Sequence, residues 1–260
     1  MQIAFYNGVS GMVAYQEQLN VTGHNLANVN NVGYKPSRSS FTNLVYTQMN
    51  THVEGENLVG HGVKHQDTDL IMRQSGFDNT MHQLDFALTD KDCFFAVENP
   101  DGTTEYTRDG TFALSVEGNA TYLVASDGSY VLDESGQKIQ VPLLKDNADL
   151  TDEEREALAD SEELDYNALP ELIGVYEFKN PYGLETYEGN RFRVTPISGE
   201  AEAYEGETRD LVKQGFLEFS GVDLANEMVK LIEAQRAFQL NGRVVRTSDS
   251  MEEEINTLRQ

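Results

Sequence analysis

Two histidines four residues apart, His61 and His65, followed by Asp67 and Asp69, come closest in this chain to a metal-binding set. Imidazole nitrogens and carboxylate oxygens both ligate zinc-like ions, and in an extended segment residues i and i+4 share a face. Their setting, Val59-Gly60-His61-Gly62-Val63, reads as strand or loop. With no third firm ligand at a fixed spacing, solvated loop residues are expected and not a metal site. His24 lies within a helical stretch, where a packing or polar-face role is expected. The single cysteine, Cys93, precedes the aromatic run Phe94-Phe95 and reads as a small buried hydrophobe with no paired histidine. One cysteine excludes an intramolecular disulfide and any multi-cysteine zinc site. With 44 acidic residues, carboxylate pairs are inevitable and do not discriminate in favour of a glycosidase. The acidic stretch 146–165 holds ten acids and one base but lacks the spacing and central glycine of a calcium loop. No catalytic residue, cofactor or metal ligand is therefore expected.

The elements that would position any site follow from composition and period. The 260 residues are 39% hydrophobic, enough for a folded soluble protein. A net charge of −25 repels phosphate and argues against nucleic-acid binding. No apolar run reaches the length of a membrane span. The segment Met1–Asn7 has neither a basic region nor an uninterrupted apolar one, so no cleavable secretory signal is expected. Charge is uneven. Residues 1–40 carry one acid and two bases, and residues 211–260 eight acids and six bases, which leaves −24 on residues 41–210. Nearly neutral ends suit packing against protein, and an acidic centre suits solvent.

The ends share a helical stripe. Phe5, Val9, Met12, Gln16, Leu19, Gly23 and Leu26 recur at alternating spacings of four and three, as do Leu224, Met228, Leu231, Gln235, Phe238, Gly242 and Val245. This is the pattern of a coiled-coil seam. Gly23 and Gly242 suggest close helix approach, or else are tolerated surface glycines. The turn-rich run Asn28–Val32 before Gly33 ends the first helix, and Lys35-Pro36 favours extended chain. A shorter helix is expected over about Ser39–Met49, with Phe41, Leu44, Val45 and Gln48 on one side. Ser220-Gly221-Val222-Asp223 reads as a cap of the [ST]-x-x-[DE] type, opening a helix that reaches Leu258. Between the ends the period changes to two. Phe94–Val97, Glu105–Thr107, Thr111–Leu114 and Thr121–Val124 are separated by Asp-Gly and Gly-Asn turns, and Leu172–Phe178 and Phe192–Thr195 bracket Asn180-Pro181-Tyr182-Gly183. The fold class expected is α+β: long N- and C-terminal helices able to pair as a coiled coil, flanking a central antiparallel β-rich domain. The regions are 1–50 (N-terminal assembly), 51–215 (β-rich, with an acidic excursion at about 146–165) and 216–260 (C-terminal assembly).

Several of these segments resemble the rod proteins of the bacterial flagellar hook–basal body family. Gly8-Val9-Ser10-Gly11-Met12 through Asn25-Leu26-Ala27-Asn28-Val29-Asn30-Asn31-Val32-Gly33-Tyr34-Lys35 is similar to that family's N-terminal signature. Gln214–Glu218, Val222–Val229 and Ala234–Gln239 are similar to its C-terminal one. Leu84–Leu88, Phe94–Val97, Tyr106–Gly110 and Asn180–Leu184 fall in the family's order between them. The chain departs from the family at Lys91-Asp92-Cys93, where a Gly-x-Gly turn is common, and at the acidic stretch 146–165. The resemblance implies a non-enzymatic structural subunit, most like the distal rod type. Such a subunit leaves the cell through the flagellar type III export apparatus without a cleaved signal. It assembles with copies of itself and with other axial proteins of rod and hook into a hollow, torque-transmitting tube in the basal body. The implied assembly surface is the two stripes together with Asn28, Asn30, Gly33 and Tyr34. The alternatives are a proximal rod or hook-type subunit, or an extracellular β-domain enzyme or metal-binding protein.

Overall fold

The first apolar stripe forms helix α1, Gln2–Ala27, and the last forms helix α2, Leu224–Leu258, in a computed structural model that describes residues 2–48, 58–118, 120–143, 164–204, 206 and 211–258. The chain is α+β, and the described residues divide into two units. The first comprises Met1–Val29, Pro36–Ile71 and Val222–Gln260. α1 ends where Asn28 folds back: its Nδ2 donates to the His24 carbonyl at 2.8 Å and its N–H to the same oxygen at 3.2 Å. Such bonds satisfy a carbonyl the helix leaves unpaired. α2 opens on Asp223, whose Oδ1 accepts from the N–H groups of Ala225 and Asn226 at 3.1 and 3.2 Å. Asp223, the acid at the end of the expected box, caps the helix, because it immediately precedes the first helical residue.

Residues 37–48 are not helical. They form strands β1, Ser37–Asn43, and β2, Tyr46–Gln48, paired antiparallel with β4, Val63–Leu70, and β3, Leu58–Gly60, respectively. The helix expected near 39–49 rested on four apolar or long residues at helix-like spacing. The run Ser37-Arg38-Ser39-Ser40-Phe41-Thr42-Asn43 instead has short polar and β-branched residues that suit a half-exposed ladder. Its partner lies beyond any local window, with Ser37 opposite Leu70 and Asn43 opposite Val63.

The second unit comprises Asn30–Lys35 and Met72–Gly221. It contains β5 (Phe77–Asn79), β6 (Phe86–Leu88), β7 (Cys93–Glu98), β8 (Thr104–Thr107), β9 (Phe112–Glu117), β10 (Ala120–Ala125) and β11 (Tyr130–Val131). After a single helical turn at Leu169–Leu172 come β12 (Val175–Phe178), β13 (Glu185–Tyr187), β14 (Arg191–Arg193), β15 (Ala201–Ala203), β16 (Val212–Gln214) and β17 (Phe216–Glu218). The expected strand from Leu172 thus begins at Val175, because Pro170 sits in the first turn of a short helix, where its missing N–H costs nothing. A nine-stranded antiparallel sheet runs in the order β13-β14-β8-β7-β11-β10-β9, with β12 joining β7 to β15. β6 pairs with β16 and β5 with β17.

Strand β7 is central, and five of its six residues are buried. Alternation sends Cys93, Phe95 and Val97 into a core with Phe86, Phe112, Leu123 and Ile173. Phe94 faces the other way, with ring centroids 5.4 and 5.5 Å from Phe178 and Phe192 in edge-on contact. Where Lys91-Asp92-Cys93 replaces a glycine turn, Asp90 Oδ1 accepts from the Asp92 N–H at 3.2 Å. Residues 146–163 of the acidic stretch lie outside the described residues; Leu164 bridges Leu143, and Asp165 is buried.

Burial pushes the Cys93 thiol up to about 12, with the nearby Asp90 and Glu177 carboxylates adding to it. A thiol so protected carries almost no thiolate at neutral pH. The folded protein at pH 8 is expected to leave Cys93 unmodified by a disulfide reagent such as DTNB over an hour, and to release one equivalent of chromophore on unfolding. Prompt stoichiometric reaction of the native protein would contradict this environment.

Candidate functional site

The expected assembly stripe on α1 is partly free. Phe5, Val9, Met12, Leu19 and Leu26 are half-buried, and Gln16 and Gly23 are exposed. In the connector that follows, Asn28 is half-buried, Asn30 exposed, and Gly33 and Tyr34 buried. On α2, Leu224, Met228 and Gln235 are exposed, and Leu231, Phe238, Gly242 and Val245 are half-buried. The most buried face of each helix is a neighbouring one: Gly8, Gly11, Ala14, Thr22 and Asn25 on α1, and Glu227, Ala234 and Ser248 on α2.

Small residues decide that seam. The helices run antiparallel, with Gly8 and Gly11 beside Val245 and Asn241 and Asn25 beside Glu227. A Cβ on Gly8 would lie 2.9 Å from Val245 Cγ2 and 3.3 Å from the Asn241 carbonyl oxygen, closer than real Cβ contacts run. Close approach therefore occurs at Gly8 and Gly11 and not at the stripe glycines. A Cβ on Gly23 would touch nothing, and one on Gly242 would meet Met12 Sδ at an ordinary 3.5 Å. Four stripe residues, Met12, Phe238, Gly242 and Val245, do come together: they line a groove with Gln239, Arg243 and Arg246.

Polar groups fix the other end of the seam. Asn25 Nδ2 donates to the Ser37 carbonyl at 2.7 Å, and its Oδ1 accepts from the Ser37 N–H at 2.9 Å. This two-point bond mimics a ladder pair and ties β1 to α1. The same Nδ2 reaches Glu227 Oε2 at 3.3 Å, and Lys230 Nζ donates to Glu227 Oε1 at 2.6 Å. The buried carboxylate is thus bonded on both oxygens.

The end of the N-terminal signature serves a different purpose. In the second unit Lys35 Nζ donates to Glu218 Oε1 at 2.7 Å and to the Arg73 carbonyl at 2.8 Å. Arg108 Nε donates to Glu218 Oε2 at 2.8 Å. The remaining guanidinium donors reach the carbonyls of Asp90, Lys91 and Cys93 and Gln74 Oε1. All three charged side chains are essentially solvent-free. Gly33 has φ +63, and a Cβ there would lie 2.5 Å from the Arg108 carbonyl oxygen. Its N–H donates to the Glu218 carbonyl at 2.8 Å. Sequence reading missed this cluster; the one available signal was a lysine beside proline at the end of a conspicuous motif.

The histidine–aspartate set does not converge. His61 Nε2 is 2.8 Å from Thr47 Oγ1, His65 Nε2 is 3.4 Å from Thr68 Oγ1, and Asp69 pairs with Arg38. His24 is exposed. Among the described residues no group of three or more His, Cys, Asp or Glu stands close enough to hold a metal ion, and no helix is long and apolar enough to cross a membrane.

Two cations share one buried carboxylate, so Lys35 is lowered from 10.5 to about 8, first by burial and then by Arg108. Between these values the unfolded chain holds a proton that the folded chain has released, so this lysine makes stability rise with pH. Urea unfolding of wild type and Lys35→Met from pH 7 to 10.5 is expected to show wild type gaining relative to the variant above pH 8. A constant difference would remove the buried ammonium from the account. Glu218→Gln leaves two buried cations facing a neutral amide and is expected to cost about 3–5 kcal/mol. A loss under 1 kcal/mol in the same denaturation measurement would show that the carboxylate is dispensable.

Comparison with known proteins places the whole chain. Residues 5–35 match the family profile described as flagella basal body rod protein, and residues 213–258 the flagellar basal body rod FlgEFG protein C-terminal profile. Residues 90–153 match the flagellar hook protein FlgE/F/G D1 domain. The flagellar basal-body rod protein FlgG of Bacillus subtilis is 35% identical, with 99% of each chain covered. That of Borreliella burgdorferi is also 35% identical, over the full length of both. The flagellar hook-basal body complex protein FlhP of Bacillus subtilis is 30% identical over 94% of each chain.

Proposed function

The chain belongs to the flagellar basal-body rod protein family, and from that premise we propose that it is a structural, non-enzymatic subunit of the rod, of the distal type. The observation that carries this reading is full-length similarity to rod proteins combined with apolar side chains left exposed along the terminal helices. On α2 Leu224, Met228, Val229, Ile232, Leu240, Val244, Met251, Ile255 and Leu258 are all exposed. An apolar face of that extent marks a surface that a partner covers. Copies of the chain, with other axial proteins of rod and hook, form a hollow tube that transmits torque. The assembly regions are residues 1–50 and 216–260. The N-terminal stripe, from Phe5 to Leu26, and the C-terminal one, from Leu224 to Val245, form its packing surface, with helices wound as a coiled coil. Subunits reach the rod through the flagellar type III export apparatus without a cleaved signal. Location in the basal body, on the outer side of the cell membrane, follows from this role.

Purified basal bodies are expected to contain the chain in their rod fraction, and cells lacking it to be without hooks and filaments. Its absence from intact basal bodies would overturn the assignment. Met228 is 52% exposed, so Met228→Asp is expected to change the stability of the isolated subunit by no more than about 0.5 kcal/mol. In the tube the same carboxylate would be desolvated, so the variant is expected to be exported and folded yet fail to form rods. Normal motility with Met228→Asp would take this residue out of the packing surface.

A further inference from the structure

The C-terminal helix carries two unpaired charged bands. Arg236, Arg243 and Arg246 are exposed, and among the described residues none makes an ion pair or side-chain hydrogen bond. Further along, Asp249, Glu252, Glu253 and Glu254 are exposed and equally unpaired. A basic band of three charges therefore precedes an acidic band of four on one helix. The bands do not neutralise each other within the chain: Arg243 and Glu252 are nine residues apart, about 14 Å along a rigid helix. Even Arg246 and Asp249, at i and i+3, form no pair among the described residues.

Apolar surface follows the same division. Every residue from Asp249 to Leu258 is exposed, including Met251, Ile255 and Leu258, which recur at spacings of four and three and so share one side of the helix. Where the basic band lies, Met12, Phe238, Gly242 and Val245 line the groove noted above, and Arg243 and Arg246 stand at it. The groove thus offers an apolar floor and cationic rim. The last ten described residues of α2 offer an apolar stripe flanked by Glu252 and Glu254, with Asp249 and Glu253 on the opposite side of the helix.

We infer that the stretch Asp249–Leu258 of one copy docks in the groove of a second copy, its apolar side on Met12, Phe238 and Gly242 and the flanking Glu252 and Glu254 carboxylates against Arg243 and Arg246. The occupant is a second copy because charge complementarity selects it: the partner must be an acidic amphipathic helix, and this chain presents one that its own fold leaves uncovered. The inference rests on the rod reading and gives it a register. Groove and occupant are different surfaces, so the contact is heterologous and propagates as an open helical array. Neighbouring α2 helices would be displaced along their axis by about ten residues, or about 15 Å.

Charge reversal tests the pairing. Both bands are on the surface, so Arg243→Glu/Arg246→Glu and Glu252→Arg/Glu254→Arg are expected to fold as wild type by circular dichroism. In cells lacking the native chain, each variant alone places like charges in the contact. Each is expected to lower the yield of rods in isolated basal bodies by about tenfold or more. Co-expressed, the two variants present opposite bands to one another and are expected to restore rods. Full rod formation by either variant alone overturns the docking and leaves the rod reading intact. Failure of the co-expressed, folded pair also overturns it. Absence of the wild-type chain from basal bodies in the same experiment overturns the rod reading and the docking together.

Discussion

One carboxylate organises the second unit. Glu218 is buried at the end of β17 and accepts from Lys35 Nζ, Arg108 Nε and the Ser75 N–H. Removing these ions from water is costly, and only short, directed bonds offset that cost. A chain register that misplaced any partner would strand a charge in the interior. The cluster therefore fixes the connector 33–35, the segment at 74–75, the turn after β8 and strand β17 against one another. Arg108 extends the constraint by donating to three carbonyls between Asp90 and Cys93, which sets where β7 begins. β7 in turn directs Phe94 and Phe95 to opposite faces of the sheet by its own alternation, so the cluster sets where the strand begins and the period sets which face each ring takes.

Legibility in the sequence followed locality. The course of α2 after Asp223 and the alternation through Phe94–Val97 and Thr121–Val124 are set by neighbours within a few residues, and those elements appear where the pattern puts them. The segment 37–48 has helix-like spacing yet forms strands because its ladder partners are β4 and β3, and no spacing within the segment reveals them. Lys35 and Glu218 are 183 residues apart, so each alone looks like an ordinary surface charge. The helix seam was displaced for another reason. The heptad reading followed the large apolar residues, whereas the intramolecular seam selects small ones, Gly8, Gly11, Ala14 and Ala234, because backbones approach only where side chains are absent. The large residues lie on a neighbouring face, half-buried or exposed within one chain.

That displacement has an energetic consequence. Hydrophobic stabilisation scales with apolar area removed from water, at about 25 cal/mol per Å². The fully buried members of the seam on α2 are Glu227, Ala234 and Ser248, and the large apolar residues Leu231, Phe238 and Val245 are only half-buried. The seam relies on close backbone contact and on the Asn25–Glu227–Lys230 bonds, which define geometry more than they add stability. Met228, Ile232, Ile255 and Leu258 stay exposed within one chain. The seam thus positions the helices within one chain, while apolar surface on α2 is left available, as the proposed packing surface requires.

Charge distribution then decides which assemblies are accessible. Copies of a chain carrying −25 repel one another, and at physiological salt that repulsion acts over about 8 Å. Placing −24 on residues 41–210 leaves the ends nearly balanced, so contact through them brings little net charge together. Balance alone would permit any register. The separation of Arg236, Arg243 and Arg246 from Asp249 and Glu252–Glu254 removes that freedom. Helices aligned in register would set arginine beside arginine and carboxylate beside carboxylate, whereas a stagger of about ten residues sets opposite bands together. Apolar surface supplies the attraction and is indifferent to sliding. In the proposed docking the charged bands favour the staggered register over the aligned one, and a staggered contact between identical subunits is of the kind that builds a helical tube.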